Sequence, residues 1–312
     1  MSGNAPIALF IYNRPEHLAQ TLRSLCENPE LSDSPVYVYG DGPKDPADRV
    51  RVEAARQVAQ EMLGGRANYR FRSDNAGLAA SVIQGVTEVT ELHGQAIVIE
   101  DDLQLSAGFL RYMNETLRKY AACEDVYQVS GYMFTAPQVA SRRSAVFLPI
   151  ISTWGWATWK RAWTKFDPLA VGWEKLRKNR QLRRRFNFDG VYNYAAMLNR
   201  QMLGRGDSWG IRWYWSVFIR NGLVCYPPWS LVANQGMDGS GTHGRGALRG
   251  FSTVAAAGAP GEIVLPDRPA INAIDGEEVR RAVWRQNGGW LGYAVDRLAF
   301  VRKLLRLRGK HS

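Results

Sequence analysis

Three adjacent carboxylates, Glu100-Asp101-Asp102, follow directly on the apolar run Ala96-Ile97-Val98-Ile99. A run of this kind reads as a buried strand, so the carboxylates stand at a strand end, where they repel one another and water is scarce. That cost is tolerable when a cation or sugar hydroxyls engage them. Oxygen ligands at one tight turn suit Mg²⁺ or Mn²⁺ held partly by substrate phosphates. A solvated turn that caps the following helix is the plainer alternative.

Further groups with chemical capacity follow other apolar runs. Arg14 comes after Ile7–Ile11, Asp41 after Val36–Tyr39, and Asn75-Ala76-Gly77 after Tyr69–Arg72. Gly77 permits close backbone approach, and the amides of a helix starting there would face a ligand; Asn75 as an ordinary helix cap is the equal alternative. The turn Asp238-Gly239-Ser240-Gly241-Thr242-His243-Gly244 exposes backbone N–H groups to phosphate, and His243 is placed to touch a diphosphate or a metal.

The elements that must position these groups alternate. Ile7–Ile11 reads as a strand, and the helix after Pro15 sets Leu18, Leu22 and Leu25 on one face. Val36–Tyr39 is the second strand, followed by a helix from about Asp45 to Leu63 that Gly64-Gly65 stops. Tyr69–Arg72 is a third strand, and its helix carries the stripe Leu78, Val82, Val86 and Val89. Ala96–Ile99 is the fourth, before a helix bearing Phe109, Met113, Leu117 and Tyr120. This order means an α/β fold with an open, mostly parallel sheet flanked by helices, whose ligands bind at the carboxyl ends of strands. The second half is mixed: a strand at Leu223–Tyr226, a connector rich in Ala, Gly and Pro over 255–269, and a last helix at about 289–307.

In Pro6–Arg14, Asp74–Gly77, Val98–Leu103, Val129–Gly131, Trp154–Trp159 and Gly241–His243, taken in order, the chain resembles the GT-A glycosyltransferases, the broad family-two group and the neighbourhood of N-acetylglucosaminyltransferase I. The resemblance runs from about residue 6 to 244. It implies inverting transfer of a sugar from a nucleotide diphosphate sugar, a UDP-sugar first, to a hydroxyl of a glycan or lipid-linked acceptor. Cell-surface polysaccharide or lipopolysaccharide synthesis is the implied setting. It makes Asp102 the ligand of Mn²⁺ or Mg²⁺, sets Glu100 and Asp101 near the ribose and donor sugar, and sets Arg14 and Asp41 near the base. Asn75, Thr242 and His243 complete the donor set. Relatives often carry Trp-Asp before an Ile/Val/Trp-rich helix, whereas this chain has Asp207-Ser208-Trp209-Gly210. Gly210 offers no base, so Asp207 takes that place, with Asp238 behind it; capping the same helix is the other role open to Asp207. Trp154 and Trp156 are candidates for the acceptor floor, where aromatic faces suit sugar C–H faces. The expected organisation is a donor half over 1–130, an acceptor-binding and catalytic half of the same domain over 131–250, and an extension over 251–312.

The 312 residues carry a net charge of +11, and 46% hydrophobic content is that of a globular chain. The charge is split. Residues 1–150 hold 14 bases against 18 acids, and residues 151–312 hold 26 against 11. The basic half calls for an anionic partner. Residues 175–185 hold seven bases and no acid, which a solvated helix face also explains. Asp296–Ser312 reads as a basic amphipathic helix, an element for an anionic membrane surface. The start lacks a basic n-region and no run of about 18 apolar residues occurs, so neither a signal peptide nor a transmembrane span is expected. Three scattered cysteines fit a reducing compartment. The expected location is cytoplasmic, peripheral on the inner face of the cell membrane. A nucleic-acid-binding protein is the alternative of another class, on the strength of tryptophans interleaved with bases. It leaves the carboxylates without a role, and no nucleic-acid partner is expected. A sugar nucleotidyltransferase would need a Gly-rich loop after the first strand, which Ile11-Tyr12-Asn13-Arg14 is not.

Overall fold

The computed structural model describes residues 3–236 and 262–287. The first apolar run is β1 (Ile7–Ile11), buried along its whole length. Pro15 opens α1 (Pro15–Cys26), and Leu18, Leu22 and Leu25 lie fully inside, as their spacing predicts. β2 (Val36–Gly40) leads to α2 (Arg49–Leu63). That helix starts later than the predicted Asp45, because the Asp45 carboxylate accepts the N–H groups of Ala47 and Asp48 in a local turn. It stops as predicted, at Gly64 with φ +53°.

β3 (Ala67–Phe71) precedes α3 (Leu78–His93), which buries Val82, Val86 and Val89. Leu78 departs from the predicted stripe: as the first residue of the helix it stays 42% exposed. β4 (Gln95–Glu100) runs into the carboxylates, β5 (Leu103–Leu105) leaves them, and α4 (Phe109–Lys119) buries Phe109, Met113 and Leu117.

The second half adds β6 (Val126–Ser130), α5 (Pro137–Ser141), β7 (Val146–Leu148), β8 (Trp156–Trp159) and α6 (Lys160–Trp163). The basic run divides into α7 (Lys175–Lys178) and α8 (Arg180–Phe186), because Asn179 turns its side chain onto the N–H of Leu182 and caps a new helix. α9 (Tyr194–Met202), α10 (Trp209–Phe218), β9 (Leu223–Tyr226), β10 (Val232–Asn234) and α11 (Ala273–Gln286) complete the described elements.

One sheet has the order β3-β2-β1-β4-β8-β6-β9-β7. β3, β2, β1 and β4 are parallel neighbours, β8 runs against both β4 and β6, and β7 runs against β9. The sheet is mostly parallel, as predicted, and passes unbroken from the first half into the second. α10 is apolar on nearly every side and buried accordingly. Trp209 stacks on Trp156 with centroids 5.2 Å apart, and Trp163 joins the same cluster. Trp156, Trp159, Trp163, Trp209, Trp213 and Trp215 are each no more than 4% exposed. Rings packed in this way are core and cannot serve as a stacking platform for bases.

Residues 262–287 pack back on the second half. Val264 bridges to Ser144, Tyr120 Oη donates to Pro266 O at 2.5 Å, and Arg142 pairs with Asp275. The predicted connector over 255–269 therefore gives way to ordered contact from Val264 onward. The Gly-rich turn 238–244 and the predicted helix at 289–307 lie outside the described residues.

Candidate active site at the strand ends

The carboxyl ends of β1, β2, β3 and β4 form one polar rim, and backbone-to-carboxylate bonds tie it together. At the end of β1 the N–H of Tyr12 donates to Asp101 Oδ2 at 2.8 Å. The hydroxyl of Thr21 on α1 donates to the Asp101 carbonyl at 2.9 Å, which fixes the turn between β4 and β5. Arg14 pairs with Asp102, Nη1 to Oδ2 at 2.9 Å. The other oxygen, Asp102 Oδ1, is buried without a hydrogen-bond partner.

β10 lies against β5, and the N–H of Gln235 donates to the Asp102 carbonyl at 2.8 Å. Gly236 then crosses the carboxylate itself: a Cβ there would lie 2.1 Å from Asp102 Oδ2 and 2.8 Å from Arg14 Nη1. A side chain at this position would displace the carboxylate and the guanidinium from their pairing. Gly236 carries one signal in the sequence, its place at the opening of the glycine-rich stretch. Asp238, Thr242 and His243 follow it in the chain and lie outside the described residues.

Burial governs the electrostatics. It pushes the Glu100 carboxyl up to about 8, and the charges of Asp102 and Asp101 add to that. Asp101 is pushed up to about 7, again by burial first and Asp102 second. Asp102 is raised too, by burial, against the opposing pull of Arg14 and then of His17. Burial thus favours the protonated forms of Glu100 and Asp101 in the metal-free protein, while Asp102 is paired with Arg14.

Asp41 is engaged by the backbone. Its Oδ1 accepts Ala76 N–H at 2.9 Å and Gly42 N–H at 3.0 Å, and its Oδ2 accepts Gly77 N–H at 2.8 Å. The Asn75 amide donates to Gly42 O at 2.8 Å, so Asn75 joins the loops after β2 and β3 and does not cap α3. Gly42 is required there, because a Cβ would meet the Asp74 backbone at 2.4 Å. Asp48, unmarked in the sequence reading, accepts from Tyr12 Oη at 2.6 Å and Asn13 Nδ2 at 2.8 Å, and so holds the turn that aims Arg14.

Asp207 reaches this rim from the second half. Its Oδ2 lies 3.4 Å from where a Cβ on Gly77 would sit. Ser208 supplies the helix cap, its Oγ accepting Ile211 N–H at 3.4 Å, which leaves the exposed Asp207 carboxylate free of that duty. Gly210 is buried with Thr153 Cγ2 only 2.9 Å from a Cβ position, so a side chain there would have to push Thr153 aside. Of the two expected acceptor residues, Trp154 is partly exposed with its ring against Tyr132 at 4.7 Å. Trp156 requires correction: it is 0% exposed inside the aromatic core and presents no face to an acceptor.

The sequence matches the family described as "Glycosyl transferase family 2" over residues 7–205, well over half of the chain. The chain belongs to that family. Among solved structures the chain is similar to the mannosyltransferase PcManGT of Pyrobaculum calidifontis, described in complex with GDP-Man and Mn²⁺. There the identity is 12%, the coverage 70% of this chain and 74% of that one, and the TM-score 0.40. Similarity to GalNAc-T7 with UDP, GalNAc and Mn²⁺ is 8% identity over 75% of this chain and 44% of that one, with a TM-score of 0.46. Similarity to a 1–349 fragment of S. aureus TarS is 11% identity over 41% of this chain, TM-score 0.31, and the match spans 35% of that fragment.

A family-two strand-end rim raises the question of a cation. Among the described residues no three His, Cys, Asp or Glu side chains converge as a metal cage. A hard cation that takes most of its oxygens from a diphosphate needs fewer protein ligands. The buried, unpartnered Asp102 Oδ1 is an oxygen of that kind.

Proposed function

We propose that the chain is an inverting glycosyltransferase that moves a sugar from a nucleotide diphosphate sugar, a UDP-sugar first, to a hydroxyl of a glycan or lipid-linked acceptor. Synthesis of a cell-surface polysaccharide or of lipopolysaccharide is the setting, at the inner face of the cell membrane. The observation that carries the reading is Asp102 with one buried oxygen left without a hydrogen-bond partner at the end of β4, while Asp207 lies beside Gly77 in the loop after β3. Mn²⁺ or Mg²⁺ on Asp102 would neutralise the charge of the departing diphosphate. Asp207 takes the acceptor hydroxyl's proton as its oxygen attacks the anomeric carbon, and the bond from that carbon to the diphosphate oxygen breaks. Arg14 stabilises the negative charge that collects beside Asp102, and Asp41 and Asn75 keep the loops after β2 and β3 in place beneath the nucleotide. Trp154 lies on the acceptor side.

A panel of nucleotide sugars, scored for metal-dependent hydrolysis and for thermal stabilisation, tests the reading. One donor is expected to score in both. Asp207→Asn is expected to lower transfer by about 10²–10⁴-fold while donor binding persists; unchanged transfer removes Asp207 as the base. Membrane contact through the basic segment 296–312 belongs to the same reading, and its deletion is expected to release the protein from membranes. Among the described residues no helix is long and apolar enough to cross a membrane.

A further inference from the structure

The stretch from Asp167 to Arg185 takes no part in the strand-end rim, yet it is held in a specific shape. The Asp167 carboxylate accepts Leu169 N–H at 2.9 Å and Val171 N–H at 2.7 Å. The N–H of Asp167 donates to Ser216 Oγ at 2.9 Å, and Trp215 Nε1 donates to Val171 O at 3.1 Å, so the loop is anchored on α10. The backbone turns through Ala170 at φ +46° and Gly172 at φ +80°. A left-handed alanine is a strained choice. Its result is a buried Ala170 between two aliphatic side chains turned to solvent, Leu169 at 70% and Val171 at 68% exposure.

Positive charge begins beside that pair. Lys175 lies over Gly172, its side chain 3.7 Å from where a Cβ on that glycine would sit. Arg183 binds the carbonyls of Leu176 and Arg177 and locks α8 on α7. Arg185 lies over the Phe218 ring and bonds Asn221. That leaves Lys175, Arg177, Lys178, Arg180 and Arg184 exposed, and none of them has a carboxylate partner within salt-bridge distance among the described residues. Of the acids nearby, Asp189 is paired with Arg280, which leaves Glu174 exposed at the start of α7.

We propose that Leu169 and Val171, with the exposed bases of α7 and α8, dock the protein on an anionic lipid surface. Charge alone would suit any polyanion. The aliphatic pair decides for lipid, because Leu and Val gain by leaving water for the headgroup–acyl boundary and gain nothing against a phosphodiester backbone. Bases flanking such a pair sit at headgroup depth, where each adds attraction. The residues of this surface lie elsewhere in the sequence than segment 296–312. The loop is anchored near one end of α10, and Asp207 precedes the other end, about 10 Å along the helix axis.

Co-sedimentation of the full chain with phosphatidylcholine vesicles, with and without phosphatidylglycerol, tests the surface, with a DNA duplex as the competing polyanion. Binding is expected only to the anionic vesicles and is expected to weaken with salt. The pair Leu169→Ser, Val171→Ser is expected to lower vesicle affinity and leave DNA binding unchanged. The triple Lys175→Gln, Arg177→Gln, Lys178→Gln is expected to lower vesicle affinity by about tenfold or more. Donor-induced thermal stabilisation reports folding and the glycosyl-transfer reading independently, and both variants should keep it. Vesicle affinity unchanged in both variants, or no affinity of the parent chain for anionic vesicles, would overturn the proposal. Tighter binding to DNA than to vesicles, indifferent to Leu169 and Val171, would replace lipid by nucleic acid.

Discussion

At the scale of residues, Asp102 is shaped by two neighbours of different kinds. Arg14 occupies one oxygen, Gly236 closes over the carboxylate, and the other oxygen is buried and open. Gly236→Ala would put a methyl group against the ion pair, and the carboxylate would have to turn. Metal affinity measured by titration in the presence of donor is expected to fall by about 10–100-fold, the loss typical when the support of a ligand is disturbed. Proton uptake provides an independent check. Asp101 rises to about 7 on folding and Glu100 to about 8. Both exceed ordinary carboxyl values, so the folded chain binds more protons than the unfolded one between about pH 4 and those limits. Stability of the metal-free protein is therefore full at acid pH and declines as pH rises through 7 to 8. Asp101→Asn is expected to flatten that decline in melting curves taken from pH 5 to 8.5; an unchanged slope would remove Asp101 as its source. Asp102 was legible in the sequence because three carboxylates after an apolar run are costly wherever they fall. Gly236 was not, because its role comes from β10 pairing with β5 far away in the chain.

At the scale of elements, the loops after β2 and β3 behave as one unit. Asp41 accepts three backbone N–H groups across them, and Gly42 lets them touch. Asp41→Ala is expected to cost about 1.5–3 kcal/mol by chemical denaturation, since charge-assisted bonds to one buried and two part-buried amides are lost. Donor affinity should fall with it, and unchanged stability would contradict the structural role. β1, β2 and β4 were legible because parallel strands buried on both faces are near-continuous apolar runs, whereas β3 is a half-exposed edge strand. In the second half β7, β8 and β10 are short, and β8 is Trp156-Ala157-Thr158-Trp159, a pattern equally at home in a helix or a loop. The split of the basic run rests on a single asparagine cap. The exposure of Leu78 follows from its place at a helix start, which periodicity does not register.

At the scale of the whole molecule, one sheet joins an acidic half and a basic half. β8 lies between β4 and β6, and the tryptophan cluster packs β8, α6 and α10 together. Unfolding followed by tryptophan fluorescence and by far-ultraviolet circular dichroism is thus expected to give coincident transitions across the described part of the chain. Separate transitions would divide the halves. Trp209→Ala is expected to lower stability by about 3–5 kcal/mol and to weaken transfer with it, because the same helix start places Asp207. The net charge of +11 comes from the second half of the sequence, whereas the clustered carboxyl groups stand at the strand-end rim of the first half. The most direct measurement is calorimetric titration of the nucleotide sugar that scores in the panel, with and without Mn²⁺, into the parent chain and into Asp102→Ala. Expected is tight binding by the parent chain with Mn²⁺ present and loss of the metal-dependent part in the variant. Full metal-dependent binding by Asp102→Ala would contradict the assignment of the site.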